Sequence, residues 1–159
     1  SGLCLKPPRA DVEKPRVRIN QDYLRFTVAS ARDGYVYVLV VGTNQSDFLL
    51  LFPNAADRNN RIAAGTPLTL PRASWPMRAT GPAGTDRFVV IVSERPRDFA
   101  GLGMQKVDVF GRFPAQAVRV SSSGRGSPFA GKPVCPGGPA IDCGDGYGAA
   151  EFAIEETPG

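Results

Sequence analysis

Two apolar runs joined by a short polar gap dominate the first half of the chain. Asp33-Gly34 precedes Tyr-Val-Tyr-Val-Leu-Val-Val (residues 35–41), and Phe-Leu-Leu-Leu-Phe (residues 48–52) ends at Pro53-Asn54. The first run is β-branched and aromatic, the composition of a strand buried on both faces. Asp33-Gly34 predicts a turn. Pro53 stops the second run because proline offers no N–H to a ladder, and Asn54 tolerates the left-handed region. The polar connection from Thr43 to Asp47 is short enough to make the two runs an antiparallel hairpin.

Further candidate strands lie at Arg16–Asn20, Leu24–Ala29, Leu68–Leu70, Met77–Thr80 and Phe88–Ser93. In Leu24–Ala29, Leu24, Phe26 and Val28 share one face while Arg25 and Thr27 share the other. Gly81-Pro82-Ala83-Gly84 predicts a second hairpin turn. Short strands at this spacing, with turn chemistry between them, predict a mostly β chain built as an antiparallel β-sandwich or open barrel. Pro96–Leu102 has helix-start chemistry, with Pro first and Asp98 in the first turn, and predicts a short helix. Met104–Phe113 has no clean period and reads as short helix or irregular. The alternation of residues 149–155 predicts a closing strand that returns to the sheet.

A chain of 159 residues suits a single domain with its own core. Residues 1–15, with Pro7, Pro8 and Pro15 among charges, read as a linker or extended lead-in, leaving 16–159 as one β-rich domain. Many of the 18 Gly and 15 Pro fall after residue 95, so a loop-rich C-terminal part is expected. The chain starts at Ser1 without Met, which reads as a processed or excised piece. No apolar run approaches the roughly 18 residues of a membrane helix, so membrane contact is expected only through a segment outside this chain.

The net charge is +4, and Lys6, Arg9, Lys14, Arg16, Arg18 and Arg25 crowd the first quarter. Arg16-Val17-Arg18-Ile19 alternates as a strand with one wet face does, without the interleaved aromatics of a nucleic-acid reader, and no nucleic-acid partner is assigned. The chain contains no histidine. That removes Ser-His-Asp and Cys-His nucleophile pairs and histidine-based zinc sites together. Neither a Gly-x-Ser-x-Gly elbow nor a phosphate-binding glycine loop is present. Paired carboxylates brought together by the fold are the remaining enzymatic alternative, with nothing local to suggest them, and the chain is expected to be non-enzymatic and to need no cofactor.

Of the three cysteines, Cys135 and Cys143 flank a Gly/Pro-rich segment able to double back. A disulfide there would stabilise by about 2–3 kcal/mol and implies an oxidising compartment. Two inert thiols are the rival reading, and the spacing is not a zinc spacing. Cys4 is left over as a free thiol. The densest set of side-chain oxygens is the loop after the hairpin, where Asn54, Asp57, Arg58, Asn59, Asn60 and Arg61 could bind a polar partner. Calcium takes such oxygens, but the order departs from a calcium loop and the run holds Arg58, so no metal is assigned. Turn formation explains the same Asn and Asp residues. Tyr23, Tyr35, Tyr37 and Trp75 could line a groove, although aromatics in strands more often pack in the core.

Gly34-Tyr35-Val36-Tyr37-Val38-Leu39, then Leu50 to Asn54, Asn60 to Ile62, Ala64-Gly65, Leu68 to Pro71 and Gly81 to Gly84 occur in an order that resembles a bacterial domain-of-unknown-function family, number 4384, over about residues 16–95. The resemblance implies an accessory or C-terminal module of the kind found with serine/threonine protein kinases, caspase-like peptidases and envelope-associated proteins. Tyr147 to Phe152 looks like the end of the kinase-linked members. The family has no established catalytic residues, so none carry over. A two-cysteine loop suits a kinase whose membrane helix places this domain outside the cytoplasm, in the periplasm or an equivalent bacterial compartment. The expected function is a sensing or binding module for an unknown envelope protein or ligand. The alternative is a secretion-system or envelope accessory domain making structural protein contacts.

Overall fold

The computed structural model describes residues 2–4, 8–41, 47–79, 82–98, 105–107, 110–114, 132–133 and 145–158. Among them are fourteen strands and no helix: β1 (Gly2–Cys4), β2 (Arg9–Val12), β3 (Arg16–Arg18), β4 (Phe26–Ala29), β5 (Gly34–Val41), β6 (Asp47–Phe52), β7 (Arg61–Ile62), β8 (Leu68–Leu70), β9 (Gly84–Ser93), β10 (Arg97–Asp98), β11 (Gln105–Val107), β12 (Phe110–Pro114), β13 (Lys132–Pro133) and β14 (Asp145–Thr157). The large sheet runs β1-β14-β9-β5-β6-β12-β11, with β3 also on β14 and β7 also on β5. A three-stranded sheet, β2-β4-β8, lies against it, and β10 pairs with β13 separately. The architecture is a mostly β sandwich, as expected.

The predicted hairpin is present as the antiparallel pair β5–β6. Its register shifts between Val38, opposite Phe52, and Leu39, opposite Leu50, so Leu51 is the extra residue of a bulge. Strict alternation would place Leu51 and Phe52 on opposite faces. The bulge brings both into one core cluster, with Val36, Val38 and Val40 of β5. Phe26, Val28 and Leu70 of the small sheet meet Phe88, Val90, Val92 and Ile154 of the large one in that cluster. Phe88 stacks on Phe152 with ring centroids 4.8 Å apart, and Phe26 is tilted against both rings. Tyr37, Leu39, Leu50, Val89 and Ile91 are buried as well. They do not belong to the inter-sheet cluster, which fits the reading of β5 as a strand buried on both faces.

Several expectations are corrected. Gly34 does not turn the chain but opens β5, after bends at Ala31 and Arg32. A Cβ at Gly34 would lie 2.6 Å from the Ser93 carbonyl oxygen, so it is close backbone approach to β9 that requires glycine. Arg97-Asp98, inside the expected helix of Pro96–Leu102, pairs with β13. Met104–Phe113 contains β11 and part of β12 rather than a short helix or irregular segment. Within the lead-in, β1 runs parallel to β14 and β2 pairs with β4. Of the expected strand Met77–Thr80, the described residues 77–79 form no named strand, and Arg78 makes an isolated bridge with Tyr23. Gly81 lies outside the described residues, while Gly84 begins β9. The closing strand is longer than expected and pairs with β9 from Tyr147 to Glu156.

Candidate functional site

The loop after β6 turns its polar groups inward. Asn54 and Asp57 exchange backbone hydrogen bonds of 3.0 and 3.2 Å across a tight turn. The buried Asn54 side chain accepts from the N–H groups of Ala56 and Asp57 and donates to the Leu51 carbonyl. Asn60 is also buried. Its amide donates to the Val36 carbonyl at 3.0 Å, and its own carbonyl accepts from the Val36 N–H at 2.8 Å. This is the way a buried amide side chain has to be used, because an unsatisfied one costs the full desolvation penalty.

Asp57 reaches across to the segment that follows β8. Nη1 of Arg72 donates to both Asp57 oxygens at 2.7 and 2.9 Å and to the Asn59 carbonyl at 2.9 Å. The Trp75 indole N–H donates to Asp57 Oδ2 at 3.0 Å. The Trp75 ring stacks on Phe52 at 5.5 Å, and the Arg72 guanidinium lies over the Phe52 ring at the same distance. The Asp57 side chain is only 8% exposed and that of Arg72 is 32% exposed. Arg61 donates from Nη1 to the Tyr35 hydroxyl at 3.1 Å and stacks on its ring. Of the six predicted binding residues, Arg58, Asn59 and Arg61 are exposed, and the Asn59 carbonyl and the Arg61 guanidinium each have a partner within the domain. Cys135 and Cys143 lie outside the described residues. Among the described residues no group of three or more Cys, Asp or Glu could hold a metal ion.

Beside the segment that Asp57 pins, a groove of about 170 Å³ opens to solvent. One wall is Tyr23, Leu24 and Arg25, and the other is Pro71, Arg72, Ala73, Pro76 and Met77. A short backbone ladder joins the two walls. Asn20 N–H donates to the Ala79 carbonyl at 2.7 Å, Ala79 N–H to Asp22 at 2.9 Å and Leu24 N–H to Met77 at 2.8 Å. The turn leading into it is fixed by the Asp22 carboxylate, which accepts from the Arg18 backbone N–H at 2.8 Å and from its guanidinium. Those bonds, the backbone one foremost, hold the Asp22 carboxyl below its ordinary pKa. Asn20 takes a left-handed φ of 63° in that turn, which asparagine tolerates.

Tyr23 is 52% exposed, the one exposed large hydrophobic among the described residues. Arg78 lies over its ring at 5.5 Å and donates to its hydroxyl at 3.3 Å. Of the four aromatics that could line a groove, Tyr37 and Trp75 are buried. Tyr35 carries Arg61, and Tyr23 alone lines this recess. The second wall has a sequence signal beyond the aromatics and the candidate strand named above. Its signal is Pro71-Arg-Ala-Ser-Trp-Pro-Met-Arg78, two prolines bracketing a tryptophan with an arginine near each end.

No curated protein and no solved structure matches the chain. A family match covers residues 17–96, from β3 to just past β9, which contains the hairpin, the Asp57 loop and both walls of the groove. The chain therefore belongs to the DUF4384 family, a domain of unknown function.

Proposed function

We propose that this chain is a non-enzymatic recognition module, acting outside the cytoplasm as the sensing or binding domain of a bacterial envelope signalling protein, a membrane-anchored serine/threonine protein kinase. The observation that carries the binding role is the exposed Tyr23 at the rim of a preformed groove, flanked by arginines. Tyrosine and arginine are the side chains that most often anchor protein interfaces, and both walls here are held by backbone bonds or by Asp57. A recess of about 170 Å³ is smaller than the roughly 300–1,000 Å³ of small-molecule sites, so it suits one or two side chains of a protein partner. The kinase linkage rests on the family resemblance and on the tail from Tyr147 to Phe152.

The test is made in the full-length protein. An in-frame kinase domain with one membrane helix supports the signalling role, and its absence turns the reading to an envelope or secretion-system accessory domain. With the kinase present, Tyr23→Ala combined with Arg78→Ala should change phosphorylation output in cells while leaving the level of folded protein unchanged. Unaltered output from a well-folded double variant would refute the binding role of this face.

A further inference from the structure

We propose that the groove between residues 23–25 and 71–77 takes a short acidic peptide segment, with one aliphatic side chain seated on Pro71, Pro76 and Met77 and carboxylates on either side of it met by Arg25 and Arg78. This rests on the reading of the chain as a binding module and names its ligand class.

Charge complementarity is the first support. The lining residues include two arginines and no acidic side chain. Arg78 adds a third guanidinium beside Tyr23. Arg72 is committed to Asp57, so it stiffens the wall more than it attracts an anion. Arg25 is held only by a long, solvent-exposed contact of 3.8 Å to Glu13. An exposed pair of that kind contributes about 0–1 kcal/mol, so a peptide carboxylate can displace Glu13 at little cost. Arg78, stacked on Tyr23, presents a guanidinium whose fork matches a carboxylate.

The apolar floor is the second support. Leu24, Pro71, Pro76 and Met77 give the recess an unbranched, adaptable thioether between two rigid prolines. The size admits a leucine-like side chain and excludes a nucleobase stacked between two aromatics, since Tyr23 is the only aromatic in the lining. Preorganisation is the third. The Pro71–Trp75 wall is fastened from behind by the Asp57 bonds to Arg72 and Trp75, so little ordering is left for the ligand to impose.

The experiment titrates the isotopically labelled full chain with an end-blocked peptide of sequence Asp-Glu-Leu-Glu-Asp and follows amide resonances. Expected are shifts centred on Tyr23, Arg25 and Met77, and at least about a tenfold loss of affinity in Arg25→Glu and in Tyr23→Ala. Both side chains are exposed, and unchanged spectra elsewhere show that the variants fold. Raising the salt should weaken binding, because these charges are exposed to solvent. Equal binding of the peptide with Lys in place of every acidic residue overturns the acidic class, and equal binding of the all-acidic peptide without Leu overturns the seated aliphatic side chain. An oligothymidylate that competes as well as the peptide overturns the peptide in favour of a generic polyanion. No shifts at these residues also overturns the proposal. If kinase output still responds to the Tyr23 and Arg78 substitutions in that case, the recognition role stands and only the ligand class falls.

Discussion

Asp57→Ala separates the two roles that the loop after β6 could play. If the loop is a binding site, removing the carboxylate changes affinity and spares stability. The geometry argues the opposite. Asp57 is almost fully buried and accepts two contacts from Arg72 and one from the Trp75 indole. Hydrogen bonds to a charged group are worth about 1.5–3 kcal/mol each when removed singly. Breaking a buried ion pair by deleting one partner costs roughly 3–5 kcal/mol. Arg72 is about a third exposed and can recover water, which places this case at the lower end, near 3 kcal/mol. For a domain of this size that is a drop in Tm of about 6–12 °C. Asp57→Asn keeps an acceptor for the indole and should lose about half as much. Arg58→Ala, at an exposed position, should stay within about 0.5 kcal/mol. Urea denaturation of the three variants measures all of this, with a double-mutant cycle through Arg72→Ala to isolate the pair. An Asp57→Ala protein as stable as wild type would refute the structural role.

Other outcomes are expected. The Asp86 carboxyl is pushed up to about 8, first by burial and then by its hydrogen bond to Glu156 and the repulsion between the two charges. In the unfolded chain Asp titrates near 3.8. The folded state therefore holds the proton more tightly, so the contribution is complete below about pH 4 and is lost as pH rises toward about 8. Urea midpoints should fall over that interval in wild type and flatten in Asp86→Asn, whereas a flat wild-type profile would remove the shared proton from the account. Asp22 acts in the opposite sense, since its lowered pKa gives stability that is lost only as pH falls below the ordinary aspartate range. Gly34→Ala should destabilise by about 1–3 kcal/mol because its Cβ meets the Ser93 carbonyl, while Gly65→Ala, in open space at φ 76°, should lose about 1 kcal/mol through backbone strain alone. Alkylation without reductant, read by mass spectrometry, should label Cys4 only, and labelling at all three cysteines would refute the Cys135–Cys143 bridge.

The strands that sequence patterning finds are those whose burial is a property of the strand itself. β5 after Gly34 and β6 after Asp47 are apolar, and β8 spans the Leu68–Leu70 that the pattern predicts. β9 extends beyond its apolar pattern because its first residues, Gly84 to Arg87, lack apolar side chains and gain their strand conformation from pairing with β14. Pro96 and Asp98 carry real helix-start chemistry, but Arg97-Asp98 finds a ladder partner at Lys132-Pro133, far along the chain, and non-local pairing overrides a local preference. The bulge at Leu51 was equally out of reach. It needs the partner strand to define it, and without it the two-residue period misplaces the side chains beyond it.

The same distinction explains why the polar density after β6 coincides with groups that the fold itself uses. Asn54, Asp57 and Asn60 cluster because a tight reversal between β6 and β7 leaves backbone donors and acceptors that short amide and carboxylate side chains can satisfy. Once satisfied, those groups are spent on the fold. A recognition surface needs groups that the fold leaves exposed, and on the proposal made above these are Tyr23, Arg25 and Arg78 beside the segment that Asp57 holds. Asp57 fastens Arg72 and Trp75 from behind, and Tyr23, Arg25 and Arg78 face solvent in front. The arrangement makes the two halves separable by experiment. Substitutions behind the wall should lower stability first and affinity through it, whereas substitutions in front should move affinity alone.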